Sequence, residues 1–219
     1  MSTAKNQVSP PEFGPAFQQT LGDLFAWRRD VRRFRTDPVP AELLDRIFDM
    51  ACLSPSVGNS QPWRFVTVDE PARRQEVSRD FESANDAALQ GYQGERAKLY
   101  ASLKLAGLKE APIHLAVFSD EETAQGHGLG QATMPETLRY STVTAVYGLW
   151  LAARAFGVGV GWVSIIHPET VTGLLDVPES WTLVAYLCVG WPLQEQVKPE
   201  LAVAGWQSRE SLCRQILRR

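Results

Sequence analysis

From Tyr140 to Phe156 the chain is apolar on nearly every side of a helix. Such a helix has no face to give to water, so it lies in a large core or in a subunit interface. It is too short for a membrane span, which takes roughly 20 apolar residues, and it carries Arg154. Whatever the chain folds into must wrap this segment. With 44% hydrophobic and 21% charged residues in a length of 219, there is enough apolar material to do so. Nothing inside the chain reads as a linker. One domain is therefore expected over 16–219, behind a polar, proline-bearing arm at 1–15.

Around that helix, periodicity predicts a helix over 17–29, with Phe17, Leu21, Leu24 and Phe25 on one face. A second begins at Pro40, since proline suits the first turn, and ends before Ser54-Pro55. A strand is expected at 65–68, then two fairly polar helices at 71–89 and 95–108, and a strand at 113–118. A loop rich in Gly, Gln and Thr fills 119–135. Beyond the apolar helix come a strand at 160–165, a short helix at 168–175, a buried strand at 183–189 and a tail with one weak helix. Helices and strands alternate, which leaves α/β and α+β both open.

Several function classes drop out. A net charge of -3 offers no basic patch for nucleic acid. Cys52, Cys188 and Cys213 are odd in number and form no CxxC, so neither a disulfide framework nor a zinc site is expected, and a reducing cytoplasm fits. His114, His127 and His167 are scattered without metal-ligand spacing, so no metal is expected. There is no GxSxG elbow and no secretory signal.

Three stretches could carry chemistry. Arg28-Arg29-Asp30-Val31-Arg32 puts three guanidiniums within five residues, a pattern that clamps phosphate but also suits a solvated face. Ser54 to Trp63 is a polar loop whose Gly58 lets backbone N–H groups approach a flat ligand. Gly157-Val158-Gly159-Val160-Gly161 permits close approach of a ring or another backbone. It leads into a strand instead of joining strand to helix, so it is no dinucleotide fingerprint, and Gly126 to Gly130 fails the same test.

Taken together the three stretches resemble the flavin-binding signature of the nitroreductase superfamily: Arg-Arg-x-x-Arg, then Pro-Ser-x-x-Asn-x-Gln-Pro-Trp, then Gly-x-Gly-x-x-Trp. Asp30, where ordinary members usually have Ser, points to the flavin-cleaving branch. So do Ala84-Asn85-Asp86, Gly94-Glu95-Arg96, Ser102 to Leu105, Tyr140 to Val143, Leu149 to Arg154, Gly159 to Ile165 and the tail Pro199 to Ala202 with Gly205-Trp206. Asn59-Ser60 departs from that branch toward the ordinary loop, which keeps an NAD(P)H-dependent FMN reductase as the alternative.

The resemblance implies an α+β fold with a mixed central sheet flanked by helices, in an intertwined homodimer with FMN at the interface. It implies that reduced FMN is a substrate, cleaved with O2 to 5,6-dimethylbenzimidazole and erythrose 4-phosphate, and that a separate flavin reductase supplies it. Arg28, Arg29 and Arg32 would hold the phosphate, beside Val31. Asp30 would move protons and Ser164 would aid the oxidation. Gly58 would offer its N–H where negative charge develops on O2, within a loop that also brings Ser56 and Gln61. Leu105 would close over the ring from a lid at 84–108, and Arg209 would reach the phosphate from the tail.

Overall fold

Pro15 opens the first helix, α1 (Pro15–Trp27), at the position where its missing N–H is not needed. The structure is a computed structural model and describes residues 9–103, 106–210 and 216–219, with the backbone alone at Ser102. After α1 come α2 (Ala41–Ala51), β1 (Trp63–Thr67), α3 (Pro71–Leu89), α4 (Gly94–Ser102), α5 (Gly107–Glu110), β2 (Ile113–Asp120), α6 (Thr137–Ala155), β3 (Gly159–Val163), α7 (Pro168–Leu174), β4 (Trp181–Gly190) and α8 (Glu200–Val203).

The four strands form one sheet in the order β1-β2-β4-β3. Every pair is antiparallel, where a mixed sheet was expected. The reason lies in the crossover. Helix α6 carries the chain from β2 to β3 in the same direction, but β4 inserts between them and runs against both. Parallel pairing survives only as an isolated bridge between Asp30 and Val160.

Strand alternation divides the core between the two faces of this sheet. Leu115, Val117, Ala185, Leu187 and Val189 pack with Ile47 of α2 and with Val146, Leu149 and Ala153 of α6. Ala116, Phe118, Tyr186 and Cys188 pack on the other face with Val77 of α3, Leu108 of α5 and Val171 of α7. β2 and β4 are therefore covered on both sides, which is why they read as continuous apolar runs. Gly157, with φ at 76°, ends α6 in the left-handed region and turns the chain into β3.

Three differences from the sequence reading bear on the site. Helix α1 stops at Trp27, and Arg28 is already extended. Tertiary hydrogen bonds take over there: Trp150 Nε1 donates to Arg29 O at 3.0 Å and Val31 N to Val160 O at 3.0 Å. The helix expected over 95–108 breaks after Ser102 and resumes as α5. β3 ends at Val163, so Ser164 sits in the loop beyond it.

Helix α6 is buried on one side only within the single chain. Tyr140, Val143 and Tyr147 are 54%, 41% and 40% exposed. They lie beside α1, which contacts α6 at Phe25 and Tyr147, ring centroids 6.1 Å apart, and which leaves Phe17, Leu21 and Phe25 exposed as well.

Candidate active site

The segment 28–34 is stitched to the edge of β3. Val31 donates to Val160, and Trp162 N donates to Asp30 Oδ1 at 2.9 Å. The glycines of β3 make room for this. A Cβ on Gly161 would lie 2.1 Å from Val31 O, and one on Gly159 would lie 2.8 Å from Val31 Cγ2. The alternate glycines thus admit the charged run itself, and Val31 serves as its anchor to the strand.

That docking sets the direction of each charge. Arg28 lies with its guanidinium 4.9 Å from the Trp150 ring and 6.0 Å from Tyr147, its Nε buried with no partner among the described residues. Arg29 donates through Nε to Val197 O at 2.7 Å. Burial pulls its guanidinium below the ordinary value, and Arg28 and Arg209 add to the effect. Arg209 is therefore near enough to Arg29 to be felt by its charge. Among the described residues none of these three arginines is in an ion pair. Arg32 turns the other way and faces Asp30, Nε to Oδ2 3.6 Å.

Asp30 and Ser164 line one cavity of about 180 Å³, together with Arg32, Phe81, Tyr100, Trp162 and Trp206. Burial pushes the Asp30 carboxyl above its usual range; the Trp162 N–H, Arg32 and Arg28 oppose this without reversing it. A carboxyl poised to hold a proton longer than usual faces the cavity, next to a hydroxyl and at the end of a cationic cluster. Beneath it, burial and the nearby Asp30 charge push the Cys188 thiol up to about 12, which removes it as a nucleophile. The arrangement suits a ligand with an anionic group at one end and a flat ring at the other.

The second motif lies elsewhere on the chain. Ser56 Oγ accepts from Gln61 N at 3.0 Å, and Gly58 and Gln61 have φ of 56° and 44°. Ser56, Gly58 and Gln61 do not line the Asp30 cavity, so a single chain does not unite the sites read from sequence. The loop rests instead on Gly126 to Leu129, which a Cβ on Gly58 would crowd at 3.1 Å. Gln125 Nε2 also donates to Asn59 O at 3.0 Å. The glycine-rich stretch rejected as a nucleotide motif is the bed of this loop. Leu105 lies outside the described residues, as does Lys104. Among the described residues no cluster of His, Cys, Asp and Glu is placed to hold a metal, and no helix is long and apolar enough to cross a membrane.

Phe81, Asn85, Tyr100, Trp162, Leu201 and Trp206 line the cavity without having been singled out as site residues. Phe81 and Asn85, four apart on α3, share a helix face. The sequence signal was present in that spacing, but a largely polar helix gave no reason to pick it.

Residues 25–191 match the family model described as "Nitroreductase family". The chain belongs to the nitroreductase family. Within it, a 5,6-dimethylbenzimidazole synthase of Rhodospirillum rubrum is 60% identical over 91% of this chain and 94% of its own. A protein of the same name from Rhodobacter capsulatus is 48% identical over 87% and 94%. Among solved structures, oxidized iodotyrosine deiodinase bound to FMN and 3-iodo-L-tyrosine superposes with a TM-score of 0.70 at 26% identity, covering 91% of this chain and 97% of that one. This nitroreductase-family chain thus shares its fold with a protein solved with FMN bound.

Proposed function

We propose that the chain is a 5,6-dimethylbenzimidazole synthase, which breaks reduced FMN down with O2 to 5,6-dimethylbenzimidazole and erythrose 4-phosphate. The observation that carries the reading is Asp30: a carboxyl with a raised pKa, held by the Trp162 N–H in a cavity with Ser164, beside Arg28 and Arg29, which form no ion pair among the described residues. The 60% identity to a protein of that name supports it.

The residues present fit FMN. The partnerless Nε of Arg28 and the mutual repulsion of Arg28, Arg29 and Arg209 call for a phosphate, and the flat ring suits the cavity beside them. Bound reduced FMN supplies the electrons that O2 takes and the ring carbons of the product. Arg28, Arg29 and Arg209 hold the phosphate, with Val31 fixing their backbone. Arg32 holds Asp30 in place, and Asp30 takes and returns the protons that bond breaking requires. Ser164 orients the ligand by hydrogen bonding. Ser56, Gly58 and Gln61 act from a second copy: the apolar face of α1 and α6 joins two chains into a homodimer, and the loop 54–63 of one completes the cavity of the other. A separate flavin reductase delivers reduced FMN, and the cytoplasm is the setting.

The test is to add FMN, reduced without air, to the protein, admit air, and chromatograph the products. Dimethylbenzimidazole is expected. Steady NAD(P)H consumption with no dimethylbenzimidazole would overturn the reading in favour of an ordinary FMN reductase.

A further inference from the structure

A second cavity, of about 330 Å³, lies against α3 and α4 behind the wall of the Asp30 cavity. Phe81, Asn85, Tyr100 and Leu103 face both spaces. Its volume falls at the lower end of the roughly 300–1,000 Å³ typical of small-molecule sites. Ser78, Glu82, Leu108 and Lys109 line it and also line an open cleft on the outer surface. The two cavities and the cleft thus form a series from Asp30 to solvent. None of Arg28, Arg29 and Arg209 borders any of the three.

In the dividing wall Tyr100 stacks on Tyr92, ring centroids 4.8 Å apart, and its Oη is buried with no hydrogen-bond partner among the described residues. A buried hydroxyl in that state is disfavoured, so turning Tyr100 aside opens the wall and lets the hydroxyl find a partner on a passing ligand. The chamber is apolar at Phe81, Leu103 and Leu108. At its mouth stand Glu82 and Lys109, paired at 3.1 Å and both mostly exposed. One accepts a hydrogen bond and the other donates, which suits a flat, neutral heteroaromatic with one ring N–H and one bare ring nitrogen. Among the described residues a sugar phosphate finds no unpaired cation there.

We propose that this chamber is the exit for the benzimidazole product, which leaves the Asp30 cavity past Tyr100 while the sugar phosphate stays on the arginine side. The inference rests on the flavin-cleaving reading. It is tested by equilibrium dialysis of the intact protein against 5,6-dimethylbenzimidazole, with and without saturating oxidised FMN. Dimethylbenzimidazole is expected to bind with an affinity that FMN changes by no more than about twofold. Ser78→Trp at the mouth and, independently, Ala101→Trp in the chamber are expected to weaken that binding by about tenfold or more while FMN binding stays unchanged. Simple competition between FMN and dimethylbenzimidazole, absence of binding, or normal binding by both Trp variants would overturn the proposal. Dialysis involves no turnover. A protein that passes it yet makes no dimethylbenzimidazole from reduced FMN refutes the function proposed above and leaves the binding site standing.

Discussion

Asp30 is held by contacts that pull its ionisation in opposite directions. Burial favours the neutral acid, while the Trp162 N–H and two arginines favour the anion. A carboxyl balanced this way releases and recovers a proton at higher pH than a surface aspartate. Asp30→Asn keeps the size and the neutral shape, so FMN binding is expected to persist. Product formation is expected to fall by about 10²–10⁴-fold, the usual contribution of general acid–base catalysis. If Asp30 only tempers its arginine neighbours, the variant binds FMN more tightly and its product yield, read by chromatography, is unchanged. Arg29 gives a complementary expectation. Its guanidinium already sits in a partly dehydrated, like-charged setting, and a phosphate contact there is worth about 1.5–3 kcal/mol. Arg29→Ala should therefore weaken FMN binding by about tenfold or more in a fluorescence titration. Unchanged affinity would make the cluster a surface feature.

At the scale of elements, β2 and β4 carry a buried polar pair in the α3 side of the core. His114 Nδ1 and Tyr186 Oη are 2.9 Å apart, and His114 is 1% exposed. Burial, with Arg74 adding to it, lowers the His114 pKa from 6.5 to about 4. The folded state thus keeps His114 neutral where the unfolded chain takes up a proton. Stability from this residue is present above about pH 6.5 and is lost as pH falls toward 4, by up to roughly 3 kcal/mol. Urea midpoints from pH 7 to pH 4.5 should drop more steeply for the native chain than for His114→Phe; parallel slopes would contradict this. How much could be read beforehand follows from the same elements. β2, β4 and α3 announced themselves, because strands buried on both faces are apolar throughout and α3 runs between proline and a turn. The break between α4 and α5 did not, because nothing local marks it; Gly107 is small because Phe34 lies against it, 2.9 Å from where a Cβ would be. The arginine run was visible as a pattern. That Arg32 would face Asp30 was not, since only the docking of 28–34 on β3 decides it.

For the molecule as a whole, one chain holds the two motifs of its site apart and leaves an apolar face on α1 and α6 open to water. A dimer built on that face resolves both facts. Mass measurement at micromolar concentration is expected to find two chains, and Tyr147→Glu, which puts a charge on the exposed face, is expected to shift the population toward one. Mixed dimers of Asp30→Asn with Gly58→Val chains offer a sharper check. Each parent lacks one half of every site, whereas the mixed species assembles one intact site from the two unaltered halves. Activity regained on mixing supports shared sites, and none regained, or a stable native monomer, would exclude them.

The run 28–34 also meets the outer border of the sheet. β3 is the terminal strand, and its free side is met at Val160 by the Asp30 bridge, while Phe34 pairs with Pro192 in the segment that follows β4. An uncovered strand border is a template for recruiting another chain. The run proposed to grip the anion thus also covers part of that border. On the function proposed above, a ligand filling the arginine cluster would hold that cover in place by mass action and so act as a solubiliser too. A pool of chains deprived of it would be drawn into clumps instead of waiting, idle and recoverable, for the next molecule to arrive.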